Sequence, residues 1–461
     1  MRIFKFPYFL CFISLVLLNC LKTEFKFCDD SGIFTTALLQ GFSSRKGSSF
    51  CGYLKSPLPT ASWTRLLGAA GASTQSSGVT ADGSGNVYAA GSSTGSLDGN
   101  ALIGTQDAFV VKYDTNGNKQ WTRTLGTAGA SLTTSGIASD SFQNVYMLGS
   151  TNLSLDGQAF SGTSDLFLSK YDTNGNKLWT RLLGALANAT LPMGIATDSF
   201  NFIYITGYTN GNLDGNVLTG LYDLFLTKYD PNGIRLWTRT LGVSGAHTQS
   251  NAVTLDSSNS VYMTGYTTGN LDGNVLAGGQ DLIVVKYDSN GNKQWTRQLG
   301  VAAASETGNG IVTDMRGNIY ATGNTNGNLD GQTLTGTFAF FVVKYDNQGA
   351  KQWTRLLGTG GTFTYGLGIT YDSFNNVFIT GNTGGGLDGN TLTGTQDIYM
   401  TKYDSNGVKQ STQQAGVTGS SSTASGIVSD YYDNIYKTGY TAGNLNGQIL
   451  VGTNALYIIK N

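Results

Sequence analysis

One histidine, His247, serves the whole 461-residue chain. A two-histidine metal site is therefore excluded, and a Ser-His-Asp or Cys-His relay would need partners for which neither motif nor spacing gives a signal. What remains is carboxylate chemistry of the glycosidase kind, in which one Asp or Glu acts as acid and another as base or nucleophile. Only Glu24 and Glu306 are glutamates, and nearly all aspartates recur at regular intervals. One such series, Asp98, Asp156, Asp214, Asp272, Asp330 and Asp388, stands in Leu-Asp-Gly, with Asn446 at the next step. Asp before Gly is first a turn former whose side chain satisfies local backbone N–H groups. A hard-cation site per blade, built from carboxylate, carbonyl and amide oxygens, is a second reading; the Asp-Thr-Asn-Gly-Asn turn resembles the start of a calcium loop but lacks its later bidentate Glu. The expectation is no cofactor and no metal.

Lysines recur too, at Lys112, Lys170, Lys228, Lys286, Lys344, Lys402 and Lys460. Asp107, Asp165, Asp223, Asp281 and Asp397 lie at a constant offset before five of them, while Ala339 and Ala455 take that place before Lys344 and Lys460. The pattern predicts structural ion pairs rather than a basic ring around a ligand.

The elements that position these residues are set out by Trp-Thr-Arg, which begins at Trp63, Trp121, Trp179, Trp237, Trp295 and Trp353, an interval of 58 residues, and uses every tryptophan in the chain. The next step lands on Ser411-Thr412-Gln413, a degraded copy. Seven units run without insertion or deletion. Within each are four strand signals: a short segment opening on Gly, an alternating segment with Tyr, an apolar run ending in Lys-Tyr, and the Trp segment. Two links are tight, as in Asp140-Ser-Phe-Gln-Asn144 and Asp172-Thr-Asn-Gly-Asn176, the latter fitting a type I turn with a positive-φ glycine. The other two are long. Four antiparallel strands repeated seven times, with no helical period, predict an all-β, seven-bladed β-propeller.

Packing orders the strands. Gly78, Gly136, Gly194, Gly310, Gly368 and Gly426, with Ala252 the one substitute, belong at the crowded hub, and the Trp strand at the rim. Tyr88, Tyr146, Tyr204, Tyr262, Tyr320, Phe378 and Tyr436 read with the tryptophans as core between blades. Unit seven stops at Lys460-Asn461, before its Trp strand, so Trp63–Leu67 is expected to complete the last blade against Leu456–Lys460.

Gly-Ile-Ala-x-Asp, Gly-Asn-Val-Tyr, Asp-Ala-Phe-Val-Val-Lys-Tyr-Asp-x-Asn-Gly and Trp-Thr-Arg-x-Leu-Gly together resemble the bacterial SBBP β-propeller repeat. The resemblance covers residues 63 to 461 and implies the fold and an exported location, but no activity.

Residues 1–19 read as a signal segment: Arg2 and Lys5 precede an apolar run, Tyr8 to Leu18, too short to span a bilayer comfortably. It ends in Val16-Leu17-Leu18-Asn19-Cys20, which resembles a relaxed spirochaetal lipobox and implies cleavage before Cys20 and acylation of its thiol. Asn19 departs from the usual small residue. Residues 20–61 then form a lipid-anchored tether, Cys28 and Cys51 being read as a disulfide rather than a metal pair because no histidine lies near. The propeller takes 62–461.

Charged residues make up 12% of the chain against a usual quarter, with a net charge of -1 and a pI near 5.9. Such a surface carries no footprint for nucleic acid. Membrane attachment is expected through the lipid anchor alone, at the outer membrane of a bacterial envelope, facing out or into the periplasm, and the protein is expected to be monomeric. Repetition breaks down in the long loops entering the hub strands, and residues on a rigid scaffold that escape the repeat are the candidates for binding. Met193, His247, Glu306, Phe363 and Tyr365 are chosen on that basis. The leading function is a non-catalytic binding module for a protein or glycan. A carboxylate-using polysaccharide hydrolase or lyase and a structural envelope component stay open as alternatives.

The anchor is directly testable by metabolic lipid labelling. Cys20→Ala is expected to abolish incorporation, since attachment through that one sulfur carries the acyl chains; unchanged labelling would show the lipobox to be misread.

Overall fold

The computed structural model describes residues 61–461. The signal segment, Cys20, Cys28 and Cys51 lie outside the described residues. Twenty-eight strands, β1 to β28, run from Trp63 to Lys460. They form seven four-stranded antiparallel sheets. The first blade is typical: β2 (Thr74–Ala81), β3 (Val87–Ser93), β4 (Asp107–Tyr113) and β5 (Lys119–Leu125), in that order from axis to rim.

First strands of consecutive blades adjoin around the axis, which places the Gly segment at the hub. The reason is spatial. A Cβ on Gly194 would lie 3.0 Å from Ala252 Cα, and one on Gly136 3.1 Å from Ile195 Cγ2, in each case on the next blade. Every hub strand also carries a bulge just before this position, as between Ser76 and Gly78. The extra residue reaches sideways: Asn251 Nδ2 donates to Gly308 O at 2.9 Å and Asn309 Nδ2 to Gly366 O at 2.8 Å.

At the rim, Trp-Thr-Arg clasps the neighbour. Trp121 Nε1 donates to Thr173 O of the next blade's outer hairpin, and Arg123 Nε donates to Gly175 O, with the guanidinium over the indole. The arginine bond recurs at Arg65, Arg181, Arg239, Arg297 and Arg355. The hairpin glycine is obligatory here. Gly175 has φ 79°, and a Cβ on it would come within 2.9 Å of Trp121.

The recurring charges are paired otherwise than expected. Lys112 Nζ donates to Thr173 O at 3.1 Å and lies over the Tyr88 ring, rather than meeting Asp107. Asp107 instead accepts from the backbone N–H groups of Ile103 and Gly104, holding the long loop. Where Ala339 and Ala455 remove that carboxylate, the loop glycines Gly336 and Gly452 adopt φ 97° and 91°. The Leu-Asp-Gly aspartates sit at φ 49–55° and bind Lys119, Lys177, Arg235, Lys293, Lys351 and Lys409. Three of them also accept from the Thr of Trp-Thr-Arg: Asp98 from Thr122, Asp156 from Thr180 and Asp272 from Thr296.

Closure occurs as expected. β1 (Trp63–Leu67) pairs antiparallel with β28 (Ala455–Lys460), Trp63 opposite Lys460 and Leu67 opposite Leu456. Blade seven therefore has no covalent outer hairpin, and blade six has nothing to clasp: Ser411 and Gln413 stand where Trp and Arg would reach for it, and both are exposed. Lys402 likewise has no hairpin carbonyl and faces Asp372 at 3.9 Å.

This seam differs in its core too. Each of the other six interfaces encloses one apolar cluster, but blades six and seven share two small ones, around Ile398 and Tyr457 and around Phe378 and Met400. Lys437 stands between Ile427 and Ile459 in the sheet, at the position that is Ala89, Met147, Ile205, Met263, Ala321 and Ile379 elsewhere. It is 4% exposed, and burial pulls its ammonium down to about 8.

Stability measurements test both features of the seam. Deleting Trp63–Leu67 leaves β28 an open edge and is expected to lower the melting temperature by several degrees or cause aggregation; an unchanged melting curve would count against closure. For Lys437 the folded pKa lies below the unfolded value near 10.5, so the unfolded chain binds more protons between pH ~8 and ~10. The destabilisation is complete below pH 8 and is relieved as pH rises through that window. Lys437→Met is expected to add roughly 3 kcal/mol at neutral pH and to flatten the pH 8–10 slope; a mutant no more stable than the parent would show the ammonium to be accommodated.

Candidate functional site

Antiparallel topology sends the tight hairpins to one face of the ring and the long loops to the other. On the long-loop face, the start of each hub strand, the end of the second strand and the start of the third surround the axial mouth. Blade one shows the arrangement with small side chains: Ser73, Gln75, Ser77, Ser92, Thr94, Gln106 and Thr133 line a cavity of about 300 Å³. Gln106 Nε2 donates to Leu132 O at 2.9 Å and to Thr133 Oγ1 at 3.2 Å, tying blade one to blade two. Gln280 and Gln396 make the equivalent bonds to Thr307 and Thr423.

In blades three to six, aromatic side chains take over the same positions. Tyr222 and Phe338 replace the glutamine, and Tyr208 and Tyr266 replace Ser92, as Tyr440 also does in blade seven. Tyr222 stacks on His247 with ring centroids 5.1 Å apart and meets Tyr208 edge-on at 5.5 Å. Burial and the neighbouring Tyr208 and Tyr222 phenols raise the Tyr266 hydroxyl, which places it with that group. A second group forms two blades on: Phe363 stacks on Tyr365 at 4.9 Å, and Phe338 meets Tyr365 at 5.4 Å. All these rings are half-buried.

The structure thus brings four of the five chosen residues to the mouth. His247, Phe363 and Tyr365 lie in the two aromatic groups. Met193 is the bulge residue of its hub strand and is 36% exposed. Glu306 is the correction. It occupies the inward position that is Thr74, Thr190, Thr248 and Thr364 in other blades and is fully buried. Its Oε2 accepts from Val301 N at 3.2 Å and its Oε1 from Thr325 Oγ1 at 2.6 Å, while burial raises its pKa. A carboxylate one residue along a strand points to the opposite side, so divergence from the repeat was here a packing change.

Tyr208, Tyr222, Tyr266 and Phe338 were missed by sequence reasoning. The available signal was that they too depart from Ser and Gln at fixed repeat positions, but two of them end a strand with otherwise regular alternation and read as core. Also missed were the tips of the inner hairpins on the opposite face, where Phe142, Phe200 and Phe374 are exposed by 74%, 69% and 77%. Among the described residues no group of three His, Cys, Asp or Glu is placed to hold a metal ion. The Leu-Asp-Gly carboxylates are taken up by lysine, arginine and threonine.

Among the described residues, no ionic side chain stands at the mouth positions. At the positions equivalent to Ser73, Gln75, Ser92, Thr94 and Gln106, the seven blades supply only hydroxyl, amide, aromatic, imidazole and aliphatic groups. The arrangement can stack and hydrogen-bond a ligand; it has no exposed carboxylate pair for acid–base work.

Comparison with known proteins matches residues 62–98, 120–155, 178–214, 236–272, 294–330 and 352–388 to the family described as SBBP, Beta-propeller repeat. The regulatory protein FlaEY of Caulobacter vibrioides is 29% identical over 211 residues, 40% of this chain and 21% of that protein. A WD repeat-containing protein of Acanthamoeba polyphaga mimivirus is 25% identical over 403 residues, 73% of this chain and 26% of that protein. The chain thus spans about a quarter or less of the curated relatives it matches. Among solved structures, virginiamycin B lyase from Staphylococcus aureus aligns at 10% identity and a TM-score of 0.49, covering 87% of this chain and 100% of that one.

Proposed function

We propose that this chain, a member of the SBBP beta-propeller repeat family, is a non-catalytic binding module whose long-loop mouth receives the ligand. The observation that carries the reading is the placement of the non-repeated residues. Aromatic groups on blades three to six and a hydroxyl-lined cavity on blade one face a common opening and are held on rigid strands. Repeated residues are consumed in holding the ring together, as the clasp and the Asp98–Lys119 pair illustrate. Binding rather than catalysis is supported by the chemistry present: the single imidazole is stacked on Tyr222, and Glu306 is committed to Val301 and Thr325. Export and attachment through Cys20 would hold such a module at the bacterial envelope, with the mouth free to meet a protein or a glycan.

A second reading places a protein partner on the opposite face. Phe142, Phe200 and Phe374 project from inner hairpins there, and aromatic side chains are typical anchors of protein interfaces.

The two faces are separable on an array of glycans and extracellular proteins probed with the full chain. Signals for the true ligand are expected to be lost in the double variant Tyr222→Ala/Tyr365→Ala and kept in Phe142→Ser/Phe200→Ser/Phe374→Ser. Loss in the second variant alone would move the function to the tight-hairpin face.

A further inference from the structure

We infer that the mouth is built for an uncharged saccharide chain, an inference that rests on reading the mouth as the binding site and adds the chemistry of its ligand.

Charge is missing from the wall. A phosphate, a uronic acid or a charged peptide side chain would enter an opening with no Lys, Arg, Asp or exposed Glu to meet it and would lose hydration without a counter-charge. Ionic ligands are thereby disfavoured. A wholly apolar ligand fares no better. It would cover the Gln75 amide and the Gln106 carbonyl oxygen in blade one and take their water away.

A neutral sugar satisfies both sectors. Its ring faces present C–H groups that pack on aromatic faces, while its edge is a row of hydroxyls that both donate and accept. The wall is divided in the same way. In a ring of seven, blade one looks across the axis at blades four and five, so its hydroxyls and amides stand opposite Tyr266 and Phe338, while Tyr440 of blade seven adds a half-buried ring beside them. The cavity of about 300 Å³ is at the lower end of the range for small-molecule sites, about 300–1,000 Å³, and is continuous with an open mouth rather than sealed.

There are two aromatic groups, not one. Tyr222 with His247 bridges blades three and four, and Phe363 with Tyr365 adjoins blades five and six. Between them the junction of blades four and five carries the Gln280–Thr307 pair in place of rings. Two stacking groups separated by a polar step match successive residues of a chain better than a lone monosaccharide, since each would receive one sugar face and the step would meet the hydroxyls between. Recognition then comes from stacking area plus oriented hydrogen bonds, with no ionic component.

The test is calorimetric titration of the full chain with cellohexaose, chitohexaose and mannohexaose as neutral probes and hexagalacturonate as the charged control. At least one neutral hexasaccharide is expected to bind with Kd of ~1 mM or tighter. Its affinity should change little between low and high salt, because no ion pair is screened. Tyr222→Ala and Tyr365→Ala should each weaken it ~10-fold or more, with Gln106→Ala weakening it less. Melting curves of the variants separate lost binding from lost folding, and Tyr222→Gln, which installs the residue that blade one carries, serves where alanine destabilises. Absence of binding by all three neutral chains overturns the inference, as does salt-sensitive binding of hexagalacturonate or indifference of the neutral affinity to both tyrosine variants. If array proteins bind through the mouth while no hexasaccharide does, the saccharide inference fails and the mouth assignment stands. If a hexasaccharide binds but is lost only through Phe142, Phe200 and Phe374, both fail together.

Discussion

A four-stranded sheet has two faces to cover, and in this protein each is covered only by the next blade. Everything else depends on that sideways dependence. The clasp at the rim expresses it most clearly: an indole and a guanidinium from one blade hold the outer hairpin of its neighbour, and the hairpin glycine exists because the indole lies against it. At the hub the same dependence appears as close backbone approach, which small residues alone permit. The residues that repeat at these points are the ones in contact between units, so a change in one blade is felt in the one beside it.

At the closure seam one link of that chain is missing, and the loss spreads to its neighbours. Because blade seven takes its outer strand from the beginning of the array, its outer hairpin is absent, and the clasp of blade six has no target. Trp and Arg have given way there to Ser411 and Gln413. The neighbouring core has loosened in parallel, with Lys437 dividing an apolar cluster that is continuous in the other interfaces. An exposed tryptophan would cost solubility and an unused guanidinium contributes nothing, so the degradation of the seventh Trp-Thr-Arg has a mechanical cause.

Faces of the ring are divided by chemistry. Carboxylates stabilise the tight hairpins and the outer loops, where each accepts from backbone N–H groups or pairs with a lysine or arginine. The axial mouth on the long-loop face is free of such duties. It therefore varies from blade to blade, and that variation produces one hydroxyl-rich and one aromatic sector within a scaffold whose repeat would otherwise make seven identical walls.

Periodicity alone determined the architecture: seven units of 58 residues, four strands each, Gly inward, Trp outward, and the ends of the array joined. The reason is that each unit needs an identical neighbour, so the constraint is written seven times over. The partners of the charged residues were not legible, because constant sequence offset between Lys112 and Asp107 says nothing about which carbonyl of the next blade the ammonium meets. Nor was the site fully legible. Departure from the repeat singled out His247, Phe363 and Tyr365, which face the opening, and equally Glu306, one strand position away and turned into the core. Only the tertiary structure decided which divergent residues face the opening, since facing depends on strand register and on the bulge that shifts it. It also decided which share a wall, because Tyr222 and His247 are 25 positions apart in the chain and meet only across the junction of two blades.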